Sequence, residues 1–294
     1  MHFNVGTKAC GRKVYELLIS SGYVAGFPQL TLNSSLYELE EPSIAFIFME
    51  QLFPTPVEDV DLADLYAADL RQSGASRPWV LVNMIASLDG AIAIDGVSGS
   101  LGGPADKRVF SAIRSIADVI LVGAGTVIAE NYQRPQTSPE LQEARKARGQ
   151  SALPRIAIVS GSLSIPTDHR VFDAEAPPIV ITHAQSPKER RVALAEVADV
   201  TVSGDDHVNL SEALSSLGRS GTQVVLLEGG PSLNAAMAAE DLVDEISMSV
   251  APILVGGTGG RMLAGNHTSV PQQMRLGRVL HEDGYLFLRY LRDA

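Results

Sequence analysis

Three short stretches carry the residue types that chemistry on a bound ligand requires. Ser87-Leu88-Asp89-Gly90 sets a hydroxyl and a carboxylate beside a glycine. Gly123-Ala124-Gly125-Thr126 sets a hydroxyl after two glycines, and Glu228-Gly229-Gly230-Pro231-Ser232 puts a carboxylate ahead of a glycine pair. Glycine lets backbone N–H groups come close to a phosphate, and a helix that starts there adds partial positive charge. Each stretch also has a plain structural reading. Asp-Gly is a common turn pair, Gly-x-Gly can simply pack a strand tightly against a helix, and Gly-Gly-Pro can cap a helix with proline in its first turn. Asp106, in the opening Pro104-Ala105-Asp106 of a helix, can serve the helix dipole alone. Glu228 is harder to reduce to structure. A carboxylate ending the apolar run Val224–Leu227 is either well solvated or reserved for the N–H groups of a ligand.

Other chemistries lack their residues. Gly-x-Gly here runs into Val127-Ile128, so the third glycine of the dinucleotide fingerprint is missing. There is no phosphate-binding Gly-x-x-x-x-Gly-Lys-Ser/Thr, no Gly-x-Ser-x-Gly nucleophile turn and no His-Glu-x-x-His. The six histidines are scattered, and a single cysteine, Cys10, allows neither an intrachain disulfide nor a cysteine-based zinc site. A metal site is therefore not expected. A net charge of −11 argues against nucleic acid as a partner, yet one or two arginines suffice for a phosphorylated small molecule. No run of about 18 apolar residues predicts a membrane span, and the cysteine usage together with the lack of a signal-like start predicts a cytoplasmic protein.

The elements that must position these residues follow from periodicity. Strands are predicted at Trp79–Ile85, Val119–Val122, Ile156–Ser160, Ile179–Thr182, Val200–Val202, Val224–Leu227 and Glu245–Ala251, with helices over Ala105–Ala117, Pro187–Val197, Asn209–Leu217 and Pro231–Ala239. Alternating apolar strands and helices predict an α/β fold of three layers, with a mostly parallel sheet covered on both faces. Gly277–Leu280 and Tyr285–Leu291, joined through Asp283-Gly284, predict a C-terminal antiparallel hairpin. Its edge suits a homodimer. Residues 1–76 read as a partly irregular N-terminal extension with a short helix at Gly11–Ser20, a short strand at Ser43–Phe48 and a linker from Pro54 to Asp69 that can carry one helical segment; residues 77–294 read as the main domain.

In ligand-binding α/β sheets the ligand gathers at the carboxyl ends of the strands, which is where all three stretches fall. Taken in order, "NMIASLDGAIA", "ADVILVGAGTVIAENYQRP" and "VVLLEGGPSLNAAMAAEDLVDEISMSVAPILVGG" resemble the reductase domain of riboflavin biosynthesis, from Arg77 to the C-terminus. The resemblance implies a dihydrofolate-reductase-like fold, NADPH as cofactor, and reduction of the ribose of a ribosylaminopyrimidine 5′-phosphate to a ribityl chain. It further implies that Gly123, Gly125 and Thr126 line the cofactor site and that Gly229, Gly230 and Ser232 hold its pyrophosphate. By the same resemblance Val159 and Ser160 lie near the adenosine, and Gly102 and Asp106 near nicotinamide or substrate. Asn83, Ser87 and Asp89 face substrate, Arg134 takes its phosphate, and Glu228 touches the pyrimidine or the reacting ribose. The proton that accompanies the hydride comes from water or from a carboxyl group such as Glu228 or Asp89. Two departures stand out. The family commonly carries lysine after Asp-Gly, where this chain has Ala91, and Asp-Asp/Asn-Pro after the second motif, where it has Glu130-Asn131-Tyr132. Two alternatives therefore stay open: a dihydrofolate or pterin reductase using the same cofactor, and a non-catalytic NADP-binding module.

Overall fold

The computed structural model describes residues 48–74, 76–173, 175–265 and 271–293. The expected helix at Gly11–Ser20 and most of the strand at Ser43–Phe48 lie outside them. A single ten-stranded sheet organises the described residues. Its strands are β1 (Glu50–Phe53), β2 (Trp79–Ser87), β3 (Val119–Gly123), β4 (Arg155–Val159), β5 (Ile179–Thr182), β6 (Asp199–Val202), β7 (Val224–Leu227), β8 (Glu245–Ala251), β9 (Met274–Glu282) and β10 (Tyr285–Arg292). The order across the sheet is β1-β9-β10-β8-β2-β7-β3-β4-β5-β6. From β8 to β6 the neighbours run parallel, and β10, β9 and β1 continue the sheet antiparallel. The fold is the three-layer α/β arrangement with a C-terminal hairpin that the residue pattern predicts.

The helices are α1 (Leu62–Ala68), α2 (Pro104–Ile116), α3 (Ala124–Ala129), α4 (Pro139–Ala147), α5 (Lys188–Leu194), α6 (Leu210–Arg219) and α7 (Pro231–Ala239). Alternation along the central strands feeds two cores. Val80, Val82, Val225 and Leu227 pack with Leu214, Leu217 and Met237 of α6 and α7. Leu81, Leu226 and Ile120 point the other way, onto Tyr66, Val109 and Ile113 of α1 and α2. Burial on both faces is why these strands read as unbroken apolar runs.

Helix α2 is amphipathic: Ala105, Val109, Ala112, Ile113 and Ile116 are buried. Asp106, Phe110 and Arg114 recur at intervals of four and form a separate stripe on one flank. Its C-terminal carbonyls are capped from α4. The buried Arg145 donates from Nη1 to Ser115 O at 2.9 Å and Ala117 O at 2.6 Å. Desolvation lowers the Arg145 pKa to about 10.

Residues before Arg77 enter the same sheet. β1 pairs with β9, and the segment after α1 carries Asp69 and Arg71 into a buried ion cluster. Arg71 grips Glu245 through Nε and Nη2, both at 2.9 Å, and Arg289 Nε donates to Glu245 Oε1 at 2.7 Å. Arg278 binds Asp69 at 3.0 and 2.7 Å. The sequence reading places no strand at β1 and, where α1 forms, a linker with room for one helical segment but no bounds for it. Four residues of strand and seven of helix are too short to show a period.

Candidate active site

The sheet order brings β2, β7 and β3 side by side. The three chemically interesting stretches, far apart in sequence, are therefore neighbouring strand ends. The second and third open on a cavity of about 640 Å³, which β2 lines with Asn83, Met84 and Ile85 and which β3, α2, α3, α7 and the turn after β7 also line; the Ser87–Gly90 stretch lies outside it. Gly123 N donates to Gly229 O at 2.7 Å, which closes the ends of β3 and β7 on one another. A Cβ on Gly230 would stand 2.5 Å from Thr126 Oγ1, so only glycine leaves that approach open. A Cβ on Gly125 would meet nothing within 4 Å. Gly229 has φ +83°, a conformation glycine adopts freely. Pro231 then starts α7 without a side-chain cap, leaving first-turn N–H groups for a ligand.

Glu228 sits at the floor, 8% exposed. Arg114 Nε donates to Glu228 Oε1 at 2.8 Å and Arg114 Nη2 to Oε2 at 2.7 Å. The Tyr132 hydroxyl donates to Oε2 as well. Arg114 lies over the Phe110 ring at 4.1 Å from its centroid. Burial works against the Arg114 charge, yet Glu228 outweighs it and raises the guanidinium pKa. Burial and the Glu228 charge push the Tyr132 phenol well above its usual value, so it remains a donor. The carboxylate is therefore fixed in the cavity wall by three hydrogen bonds, two of them from a guanidinium.

Asp106 is the second carboxyl group that lines the cavity, one and two turns from Phe110 and Arg114 on the same flank. A Cβ on Gly102 would stand 2.6 Å from its Oδ2. Desolvation raises its pKa, opposed by a hydrogen bond with Ser249 and by the charge of Lys107. Lys107, on the next position of α2, also lines the cavity. Glu130 pins the segment that covers one side: its Oε1 accepts from Ser98 N at 2.8 Å and Ser98 Oγ at 3.0 Å.

Of the residues singled out from sequence, Asn83, Gly102, Asp106, Gly123, Gly125, Thr126, Glu228, Gly230 and Ser232 line this cavity, and Gly229 adjoins it through Gly123. Ser87 and Asp89 lie beyond the end of β2. Ser87 Oγ donates to Asp89 Oδ1 at 2.5 Å and accepts from Ala91 N at 2.9 Å. Asp89 in turn accepts from Val255 N at 3.2 Å and Gly256 N at 2.6 Å, latching the strap that follows β8. These bonds, led by that from Ser87, lower its pKa to about 2. Ala91 is buried, and a Cβ on Gly259 of the strap would stand 2.8 Å from the Ala91 Cβ. Val159 packs against the core, and buried Ser160 uses its Oγ to accept from Leu163 N at 3.0 Å. Arg134 borders a different cavity, of about 530 Å³, together with Arg155 at the start of β4. Arg114, Phe110 and Lys107 went unnoticed in the sequence, and Tyr132 was noted only as a departure from the family pattern. The Asp106, Phe110, Arg114 interval of four was the available signal.

The fold is dihydrofolate-reductase-like α/β, with a glycine-walled cavity at the carboxyl ends of its parallel strands, the usual place for a ligand in such sheets. The solved structures agree on the fold. A pyrimidine reductase-like protein from Corynebacterium diphtheriae superposes with TM-score 0.71 at 24% identity, over 80% of this chain and 100% of that one. The riboflavin biosynthesis reductase Rib7 of Saccharomyces cerevisiae gives 0.54 at 19% identity, over 76% and 93%. Residues 78–282 match the RibD C-terminal domain, and this chain belongs to that family. It is 34% identical over 182 residues to the 2,5-diamino-6-ribosylamino-4(3H)-pyrimidinone 5′-phosphate reductase of Archaeoglobus fulgidus, covering 62% of this chain and 83% of that protein. The riboflavin biosynthesis protein RibD of Bacillus amyloliquefaciens is 32% identical over 184 residues, 62% of this chain but 47% of that protein.

Proposed function

We propose that this chain is an NADPH-dependent reductase of a ribosylaminopyrimidine 5′-phosphate, converting its ribose to a ribityl chain. The observation that carries this reading is the convergence of two glycine-bearing strand ends, Gly123–Thr126 and Glu228–Ser232, on one cavity around Glu228, which Arg114 holds in place. Reductase-named relatives favour an enzyme over a non-catalytic NADP-binding module. The glycine cradle fits a dinucleotide: Gly123, Gly125 and Gly230 keep side chains out of the approach to the first turn of α7. Bound there, NADPH supplies the hydride. The Glu228 carboxylate accepts hydrogen bonds from N–H groups of the heterocycle, and Arg114 and Tyr132 fix its orientation. Lys107, at the cavity wall, offers a cation to the substrate phosphate. Met84, Ile92 and Phe110 supply an apolar wall that limits water.

Purified protein is expected to oxidise NADPH with 2,5-diamino-6-ribosylamino-4(3H)-pyrimidinone 5′-phosphate or its deaminated form, and Lys107→Ala to raise KM more than it lowers kcat. Absence of turnover with both forms overturns the proposal. One observation favours a second reading, reduction of dihydrofolate or a pterin. Ala91 is packed against the strap where the family commonly carries lysine, so the site lacks that charge. Methotrexate-sensitive NADPH oxidation with dihydrofolate supports this second reading. A homodimer is part of the first proposal. Leu52 and Phe53 on the edge strand β1, and Val57 bridged to it, are exposed and suit a partner; sedimentation measures the state.

A further inference from the structure

We propose that Asn234 is a positioning residue that couples the strap after β8 to the turn that receives the cofactor, so that NADPH binding and strap docking reinforce each other. This inference rests on the cofactor reading above. The Gly229-Gly230 turn and the first turn of α7 are steadied from two sides. From β3, Gly123 N donates to Gly229 O at 2.7 Å. From the strap, Met262 O accepts from Asn234 Nδ2 at 3.1 Å, and Ala264 N donates to Pro231 O at 3.2 Å. Asn234 belongs to the turn it steadies. Its N–H donates to Gly230 O at 3.0 Å. Its carboxamide packs beside Gly229, where a Cβ would stand 3.6 Å from Nδ2 and 3.7 Å from Sδ of the cavity-lining Met84. A carboxamide is an unexpected side chain at this place. Asn234 is 0% exposed and is the one polar residue among those that α7 buries. Its Oδ1 is buried with no hydrogen-bond partner among the described residues. An unpaired buried acceptor lowers stability, and a leucine would fill the space without that loss. Packing alone gives no reason for asparagine here; the bond to Met262 O does.

The strap carries this bond across to the substrate side. Its first residues are latched by Asp89 at the end of β2. Further along, a Cβ on Gly260 would stand 3.5 Å from the side chain of Ile92, which lines the cavity. The strap thus runs from the end of β2, along Ala91 and Ile92, to the first turn of α7. None of residues 252–265 lines the cavity. A ligand held at the start of α7 therefore reaches the strap through Asn234 and Pro231, not by touching it. Coupling of this kind is reciprocal: whatever strap docking adds to cofactor affinity, the cofactor adds to strap docking. With cofactor in place, the Ile92 wall is held ready for the substrate.

Asn234→Leu keeps the volume and removes the bond to the strap. The expected result is a Kd for NADPH, read by fluorescence titration, about fivefold or more above wild type. In turnover, KM for NADPH rises with it while kcat at saturating NADPH stays within about twofold. A merely structural residue would move kcat and stability instead. Amide hydrogen exchange reads the coupling from the other end. NADPH is expected to slow exchange at residues 255–256 and 262–263 in the wild-type protein, and to do so far less in the variant. Ala264→Pro removes the second strap donor from outside the core and is expected to act in the same direction, which keeps the test in force should Asn234→Leu not fold. NADPH affinity within about twofold of wild type in the folded variants, or strap exchange that NADPH leaves unchanged in the wild-type protein, overturns the inference. Wild-type protein that binds NADPH but turns over no ribosylaminopyrimidine overturns the substrate reading alone, and the affinity and exchange measurements still decide this inference. Wild-type protein that binds no NADPH overturns the cofactor reading and this inference with it.

Discussion

Glu228 can end an apolar strand only because Arg114 and Tyr132 meet it there. Its side chain is 3% exposed and that of Arg114 is 19% exposed, so the pair is shielded from water. Removing one charge strands the other, which typically costs about 3–5 kcal/mol. Glu228→Gln is therefore expected to lower stability in urea by that order and to abolish NADPH turnover. Tyr132→Phe removes one hydrogen bond, about 1 kcal/mol, and should leave the fold intact with reduced kcat. Asp89 makes a different prediction. Its folded pKa is depressed from 3.8 to about 2, so its contribution is complete above 3.8 and is lost as pH falls toward 2. Hydrogen exchange at the Val255 and Gly256 amides should hold steady from neutral pH down to mildly acidic pH. Asp89→Asn should speed it at neutral pH.

At the scale of elements, the strap after β8 and the end of β2 are matched to each other. Leu88 N donates to Ile253 O at 2.9 Å, Asp89 holds two strap amides, and Gly259 accommodates Ala91. Placing the lysine common in the family at this position forces the strap away. Ala91→Lys is expected to cost about 1–3 kcal/mol by overpacking, with faster exchange at residues 255–256, and not to increase turnover. Gly230→Ala drives a methyl group to within 2.5 Å of Thr126 Oγ1. It should weaken NADPH binding far more than it alters the melting temperature. A variant that binds NADPH normally would show that this approach is not the cofactor cradle. The strands from β2 to β7 were legible as short apolar or β-branched runs bounded by turn signals, and β9 and β10 through the Asp283-Gly284 turn that joins them. The short helices α3 and α4 were not: six and nine residues carry little period.

At the scale of the molecule, a buried ion cluster joins α1 and its following segment to the sheet. Glu245 is fully buried, and burial alone would raise its pKa. Arg71 and Arg289 outweigh that effect and hold it below the usual value. The depressed pKa means that this stabilisation is complete above the ordinary carboxylate value of 4.5 and is lost as pH falls below it. Arg71→Ala should destabilise by about 3–5 kcal/mol, and a chain starting at Arg77, which lacks both Arg71 and Asp69, should lose at least as much. Equal stability of the two chains in a denaturant titration would show that residues 50–76 are dispensable to the fold.

By itself the sequence determined the α/β class, the central strand ends and the three glycine-bearing turns, because each is a local pattern of apolar period and turn residues. It also singled out Glu228, a charge where an apolar run ends. Only the tertiary structure decided what that charge meets. Arg114 lies 114 residues away and Tyr132 lies 96 away, and no local rule links them. The same holds for Asp89, which its neighbours left as a turn residue and the family resemblance set facing substrate; it is committed to strap amides more than 160 residues distant. Sheet order performs this sorting. It places β7 between β2 and β3 and so turns two separate motifs into one cavity, while leaving Asp89 on the strap and carrying Arg134 to another cavity. Local sequence sets which groups stand at a strand end; the partners that neutralise, orient or bury them come from long-range packing.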